Sequence, residues 1–200
     1  MLPAKRIRNI NQAAISMNAH HCAAYTLTEL LIVIAILAIA AVVAIPTAQP
    51  VAEFQADAAA GEVVNALRFA REDAQHSGEQ RLFDCDAATN AIAVYALVTA
   101  KTTTTASNMP VEHPFNRAPY QLTLNAAPAG NTMALVRCTF TFEDNSTAAA
   151  VAFDAAGKLL RGAGSGAARD RALRAGQVVL GAGNVERKIA IDATGRITVS

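Results

Sequence analysis

From Leu30 to Ile45 every residue is Ala, Val, Ile or Leu. As a helix that run is about 24 Å long, and from Tyr25 onward it reaches roughly 30 Å, the hydrocarbon thickness of a bilayer. Because it is apolar on every side, it reads as a membrane span rather than one face of a soluble helix. One charge, Glu29, lies just inside its N-terminal edge. A carboxylate there is costly unless protonated or paired, which makes it a functional residue by default.

The span divides the chain. Residues 1–24 mix polar and small side chains without periodicity and read as a leader, with His20 and His21 in a discarded tail rather than a metal pair. Residues 25–46 are the transmembrane half of a long helix, 47–77 its amphipathic half, and 78–200 a β domain. The formal net charge of +1 conceals an asymmetry. Lys5, Arg6 and Arg8 make the leader basic, and the positive-inside rule keeps it in the cytoplasm, with everything after Pro46 across the membrane. An ordinary secretory signal would be cut after its apolar region, and Pro46-Thr47-Ala48 offers a weak late site. The position of Glu29 favours an early cut that keeps the helix.

Cysteine usage follows from that topology. Cys22 leaves with the leader, whereas Cys85 and Cys138 would face an oxidising compartment where a bridge is allowed. Two separate buried thiols are the competing reading.

Beyond Pro46, Phe54, Ala58, Gly61, Val64, Leu67, Ala70 and Ala74 recur at steps of three and four, predicting an amphipathic helix that Ser77-Gly78 ends. Pro46 removes a backbone donor and should bend the helix rather than stop it. β-prone runs follow at 81–85, 91–99, 120–124, 134–142, 149–153, 177–180, 188–191 and 196–199. Thr102 to Thr105, with Ser107, Asn108 and Pro110, reads as a mobile loop, and Gly162 to Gly166 as a flexible one. Val151–Leu159 and Ile189–Ile197 share the form apolar-Ala-apolar-Asp-Ala-x-Gly-basic-apolar. Asp opens a turn by accepting nearby backbone N–H groups and Gly supplies a positive φ, so both predict tight hairpins. The fold class expected is α+β, a long N-terminal helix packed on an antiparallel β domain.

No enzyme site emerges. There is no Gly-x-Ser-x-Gly and no phosphate-binding Gly loop, and His76 and His113 lack spaced partners. A Cys85–His113 nucleophile pair is weaker than the bridge as an account of Cys85. No metal, cofactor or small-molecule substrate is expected. From Gly157 to Ser200 eight basic residues face three acidic ones, among them Arg161, Arg169, Arg171, Arg174, Arg187, Lys188 and Arg196. These could neutralise nucleic-acid phosphates, yet no aromatic stacking platform lies nearby, and a solvated basic face is the simpler account.

The segment Tyr25-Thr26-Leu27-Thr28-Glu29-Leu30-Leu31, the apolar run and Pro46 together resemble a type IV prepilin N-terminus. The resemblance implies cleavage between Ala24 and Tyr25 by a prepilin peptidase, N-methylation of Tyr25, and Glu29 as the fifth-position Glu. That carboxylate would neutralise a Tyr25 amine, its own or a neighbour's, as helices stack. Ala24 stands where Gly is usual and Tyr25 where Phe is usual. The C-terminal pattern ending Gly195-Arg196-Ile197-Thr198 resembles the GspH/FimT branch of minor pseudopilins. The implied role is a pilin-like subunit of a type II secretion pseudopilus, held in the inner membrane with a periplasmic β domain and joined to other pseudopilins through its helix. The alternative is a FimT-like, DNA-binding minor pilin of a type IV pilus used in transformation, with Arg187, Lys188 and Arg196 as contacts. Its Gly-Arg-x-Arg motif lacks the second Arg here, which counts against nucleic acid as a partner.

Overall fold

The computed structural model describes residues 26–44, 49–100, 103–126 and 132–200. Its first helix, α1 (Leu27–Ala44), opens on Thr26. The Thr26 hydroxyl accepts the Glu29 N–H at 3.2 Å, while its carbonyl accepts the N–H groups of Glu29 and Leu30. Thr26 is therefore an N-cap, its hydroxyl adding a second acceptor to a first-turn N–H that has no carbonyl four residues back within the helix. Every described side chain from Thr26 to Ala40 is exposed.

Among the described residues no helix is long and apolar enough to cross a membrane. At 18 residues α1 is about 27 Å long, slightly under the hydrocarbon thickness. The expected span draws also on Tyr25, Ile45 and Pro46, which lie outside the described residues, as does the expected bend at Pro46. Residues up to Pro46 form one compact unit and those from Thr47 onward another.

The second unit starts with α2 (Gln49–Ser77), which Gly78 ends at φ 70° with its N–H bonded to the Ala74 carbonyl. Its buried stripe is Ala56, Ala59, Ala60, Val63, Val64, Ala66, Leu67, Ala70 and Ala74. This corrects the expected stripe at its N-terminal end, where Phe54 is 75% exposed and Gly61 lies outside the core. Alanine sets the stripe because a small side chain lets the helix axis come close to a sheet.

Two antiparallel sheets complete the unit. In chain order the strands are β1 (Arg81–Asp86), β2 (Ala91–Ala100), β3 (Thr103–Pro110), β4 (Gln121–Thr123), β5 (Ala134–Phe142) and β6 (Thr147–Ala148). Then come β7 (Ala150–Phe153), β8 (Leu159–Leu160), β9 (Gly164–Ser165), β10 (Leu173–Ala182), β11 (Val185–Asp192) and β12 (Ile197–Val199). The first sheet runs β8-β7-β1-β2-β3-β9 with β4 also on β2, and the second β12-β11-β10-β5-β6.

The α2 stripe shares one core with Phe83, Ile92 and Val94 of the first sheet and Phe140, Val178, Leu180, Ile189 and Ile191 of the second. Phe83 and Phe140 meet edge to face at 6.1 Å between ring centroids, joining the two sheets. Arg81 of β1 binds Asp73 of α2 and Glu79 in the following turn, fixing the C-terminal end of the helix. Burial alone would lower the pKa of the Arg81 guanidinium, but its bonds to Asp73 and Glu79 outweigh that and raise it.

Both repeats close hairpins. Asp154 Oδ1 accepts the N–H groups of Ala156 and Lys158, and Asp192 Oδ1 those of Thr194 and Arg196. Gly157 and Gly195 sit at φ 77° and 84°, and the strands they join pair as β7–β8 and β11–β12. Two stretches expected as loops contain strands. The Thr-rich stretch is β3, held by β2, with Thr104 buried beneath Arg169, whose Nη1 donates to its hydroxyl at 3.0 Å. Gly164–Ser165 is β9, on the edge of β3.

Candidate functional sites

Glu29 occupies the third position of α1, with Thr26 as cap. The Thr-x-x-Glu spacing is a capping-box signature, and a carboxylate there also meets the positive end of the helix dipole. The sequence reading weighed Glu29 alone; the signal for Thr26 was present in that spacing. Above it Leu30, Leu31, Ile32, Ile34 and Ile36 are exposed around the whole circumference. Ala24 and Tyr25, the expected processing pair, lie outside the described residues, and so does any contact of Glu29 with the Tyr25 amine.

Cys85 of β1 and Cys138 of β5 are brought together and bonded, with Cα atoms 6.2 Å apart. The bond links the first sheet to the second beside the Phe83–Phe140 contact. It also removes Cys85 as a partner for His113, whose ring stacks on Tyr120 at 5.1 Å, with Tyr120 in turn on Phe69 of α2 at 4.2 Å. Burial, with the nearby Glu62 charge, pushes the Tyr120 phenol up.

The three cations expected to contact nucleic acid are not gathered on one surface. Arg187 lies on the core-facing side of β11 with Ile189 and Ile191, and its Nε donates to Asp57 Oδ1 of α2 at 2.5 Å. Lys188, next along the strand, points to the opposite face. Arg196 is in the turn beyond Asp192, about 17 Å along the strand from Arg187. Other arginines are engaged: Arg171 with Asp144 at 3.9 Å, and Arg174 with Asn145 Oδ1 at 2.9 Å. A cleft of 520 Å³ lies between Glu79, Gln80, Leu97, Val98, Arg169 and Asp170. Its charges are of both signs, with Arg169 beside Asp170 at 3.6 Å. Among the described residues no group of three or more His, Cys, Asp or Glu could hold a metal ion.

Residues 19–45 match the family model described as the prokaryotic N-terminal methylation motif. The chain carries a prepilin-type N-terminus. The match takes in Ala24, Tyr25, Glu29 and the apolar run, and stops one residue before Pro46. No curated protein matches the chain in sequence. Among solved structures it is similar to the minor pseudopilin EpsH from the type 2 secretion system of Vibrio cholerae. Identity is 12% and TM-score 0.45 over 73% of this chain and 96% of that one. It is also similar to the type IV minor pilin FimU of Pseudomonas aeruginosa, at 14% identity and TM-score 0.45 over 78% and 92%. Likeness of that degree carries no functional assignment.

The prepilin-type N-terminus and the β domain are chemically distinct. The first presents a methylation motif and an exposed apolar helix; the second holds its charges in local turns and ties between helix and sheet. Asp192 shows the pattern. Bonds from the Thr194 hydroxyl and the Arg196 N–H hold its carboxyl below the usual range, so its charge organises a hairpin.

Proposed function

We propose that this chain is a minor pseudopilin of a type II secretion system, built into the pseudopilus at or near its tip through α1. One observation carries the reading: the methylation motif over residues 19–45 leads into a helix whose apolar side chains are exposed on every face, with Glu29 in its first turn. Such a surface needs lipid before assembly and other apolar helices after it. A prepilin peptidase cuts between Ala24 and Tyr25 and the new N-terminus is methylated. The inner membrane then holds residues 25–46, leaving the β domain periplasmic. The protein does structural work, with other pseudopilins as partners. The DNA-binding pilin reading loses Arg187, which is tied to Asp57 on the face opposite Lys188 and Arg196, and two lone exposed cations give it little support.

Processing is the direct test. Protein extracted from membranes should begin at N-methyl-Tyr25 by intact mass and N-terminal sequencing, whereas a start after Ala48 would overturn the filament reading. Glu29→Ala should leave membrane insertion intact, because the span becomes more apolar, yet strongly reduce recovery in sheared pseudopilus fractions. Undiminished incorporation would remove the assembly role of this carboxylate.

A further inference from the structure

The hairpin joining β5 to β6 holds a pentapeptide, Glu143-Asp144-Asn145-Ser146-Thr147, whose Asn-x-Thr spacing neither the fold nor the filament reading uses. The chain has eleven asparagines, and only Asn145 is followed two residues later by Ser or Thr. Asn-x-Ser/Thr with x other than Pro is the acceptor pattern of N-glycosylation. From the sequence and this geometry we propose that Asn145 is an N-glycosylation site.

The local structure presents the pattern well. The Phe142 N–H donates to the Ser146 carbonyl at 3.0 Å and the Asn145 N–H to the Phe142 carbonyl at 2.9 Å, leaving a three-residue loop. Asn145 takes its left-handed position at φ 59°, a conformation that Asn tolerates. Glu143, Asp144, Asn145 and Thr147 are all exposed. Arg174 donates to Asn145 Oδ1 at 2.9 Å, and no hydrogen bond among the described residues engages Nδ2, the atom to be modified. A glycan on Nδ2 therefore leaves the Arg174 contact in place. The turn alone would be served as well by Gly or Asp, and it makes no demand for a hydroxyl at residue 147. Finally, β6 is two residues long, sits at the end of its sheet, and pairs with β5 only at Phe140–Ala148 and Thr141–Thr147. Besides these pairs the segment is held by the Glu143 N–H on the Ala172 carbonyl and by Arg161, Arg171 and Arg174, surface contacts that local opening of the sheet edge would release together.

The donor class is an oligosaccharide carried on a polyprenyl pyrophosphate, and the catalyst is a membrane oligosaccharyltransferase facing the same compartment as the domain. The bond from the sugar's C1 to the phosphate oxygen breaks and a C1–Nδ2 bond forms. The polyprenyl pyrophosphate leaves, and one amide proton passes to a base on the transferase. No oxidation or reduction is involved. The inference rests on the export of the domain that the filament reading requires.

The test is intact mass and peptide mapping of the full chain recovered from membranes of the organism that makes it. The expected result is an added series of sugar masses on the reduced tryptic peptide from Cys138 to Lys158. Asn145→Asp keeps a side chain suited to the turn and should abolish the addition, as should Thr147→Ala, whereas Thr147→Ser and Ser146→Ala should retain it. A mature chain starting at N-methyl-Tyr25 without sugar overturns this inference and leaves the filament reading standing. Sugar persisting in Asn145→Asp overturns it in favour of hydroxyl-linked modification. A glycosylated chain starting after Ala48 keeps the inference and removes the filament reading.

Discussion

The two helices of this chain solve opposite problems. In α1 every described side chain through Ala40 is exposed, although the helix is built from Leu, Ile, Val and Ala. In α2 half the circumference is charged or polar, and a stripe of alanines with Val63 and Leu67 is fully buried. Bulky apolar residues all round cannot be satisfied by a sheet on one side, so α1 is written for surroundings that contact it everywhere. Small residues on one side and acids on the other suit close docking against the protein's own sheets. Helix propensity is good in both segments. What separates them is where the apolar volume lies around the axis.

The largest expected effect exploits that difference with the same charge in both helices. Val63 is fully buried, so Val63→Asp places an unpaired carboxylate in the core and should cost about 4 kcal/mol or more, enough to unfold the domain. Ile34 is 55% exposed, and Ile34→Asp should leave the thermal unfolding of the β domain in detergent unchanged. Its effect should appear in membrane retention, where an acid at mid-span costs about 3 kcal/mol. Equal melting losses for the two variants would dissolve the contrast.

Much of this was legible in the chain because the signals are local. The methylation motif is a continuous segment, so Ala24, Tyr25 and Glu29 stand out without any fold. Thr139 to Phe142 alternates within the β-prone run 134–142, and β5 has the bounds of that run. The two Asp-x-x-Gly turns depend on their own residues. What stayed hidden depends on partners distant in sequence. Thr103 to Pro110 carries Ser107, Asn108 and Pro110 and looks like a loop, but the edge of β2 recruits it as a strand and Arg169 covers Thr104. In the same way β10 begins at Leu173, four residues before the β-prone core at Gln177, because β5 and β11 supply pairing on both sides. The buried face of α2 was misplaced at Phe54 because periodicity ranks residues by hydrophobicity, whereas this docking surface selects small ones.

A second, smaller effect isolates the sheets that α2 docks on. The Cys85–Cys138 bond spans 53 residues of sequence and joins the two sheets. Chain-entropy arguments value such a closure at about 4 kcal/mol, less any strain. Cys85→Ser with Cys138→Ser should lower the denaturant midpoint of the oxidised protein by a corresponding amount, and thiol reductant should then have no additional effect. The α1 side should not respond, so membrane retention should be unchanged. Unreacted thiols in protein freshly extracted from the producing cells would show that the bridge does not form there.

Acid titration gives the smallest effect, read from four carboxylates in the unit containing α2. Asp86, Asp144 and Asp192 have lowered pKa values, caused first by bonds from the Thr89, Ser146 and Thr194 hydroxyls respectively. Each contributes stability that is present above the unfolded Asp value of about 3.9 and is lost as pH falls through the folded value below it. Asp84 behaves in the opposite sense. Burial, then the neighbouring Asp86 charge, raise its pKa, so the fold loses stability as pH rises from the unfolded to the folded value. It shares a 220 Å³ cleft with Asp86, Thr89, Tyr95 and Gln121, where a neutral amide can replace the carboxyl. Asp84→Asn should therefore raise the melting temperature slightly at pH 7 and leave it unchanged once both forms of Asp84 are protonated. Asp192→Ala should do the reverse at pH 7, because the hairpin loses its acceptor, with the difference shrinking in acid. Melting curves of the full chain in detergent between pH 3 and pH 7 distinguish the two signs. A destabilised Asp84→Asn at pH 7 would mean that its charge serves a partner within the fold rather than burdening it.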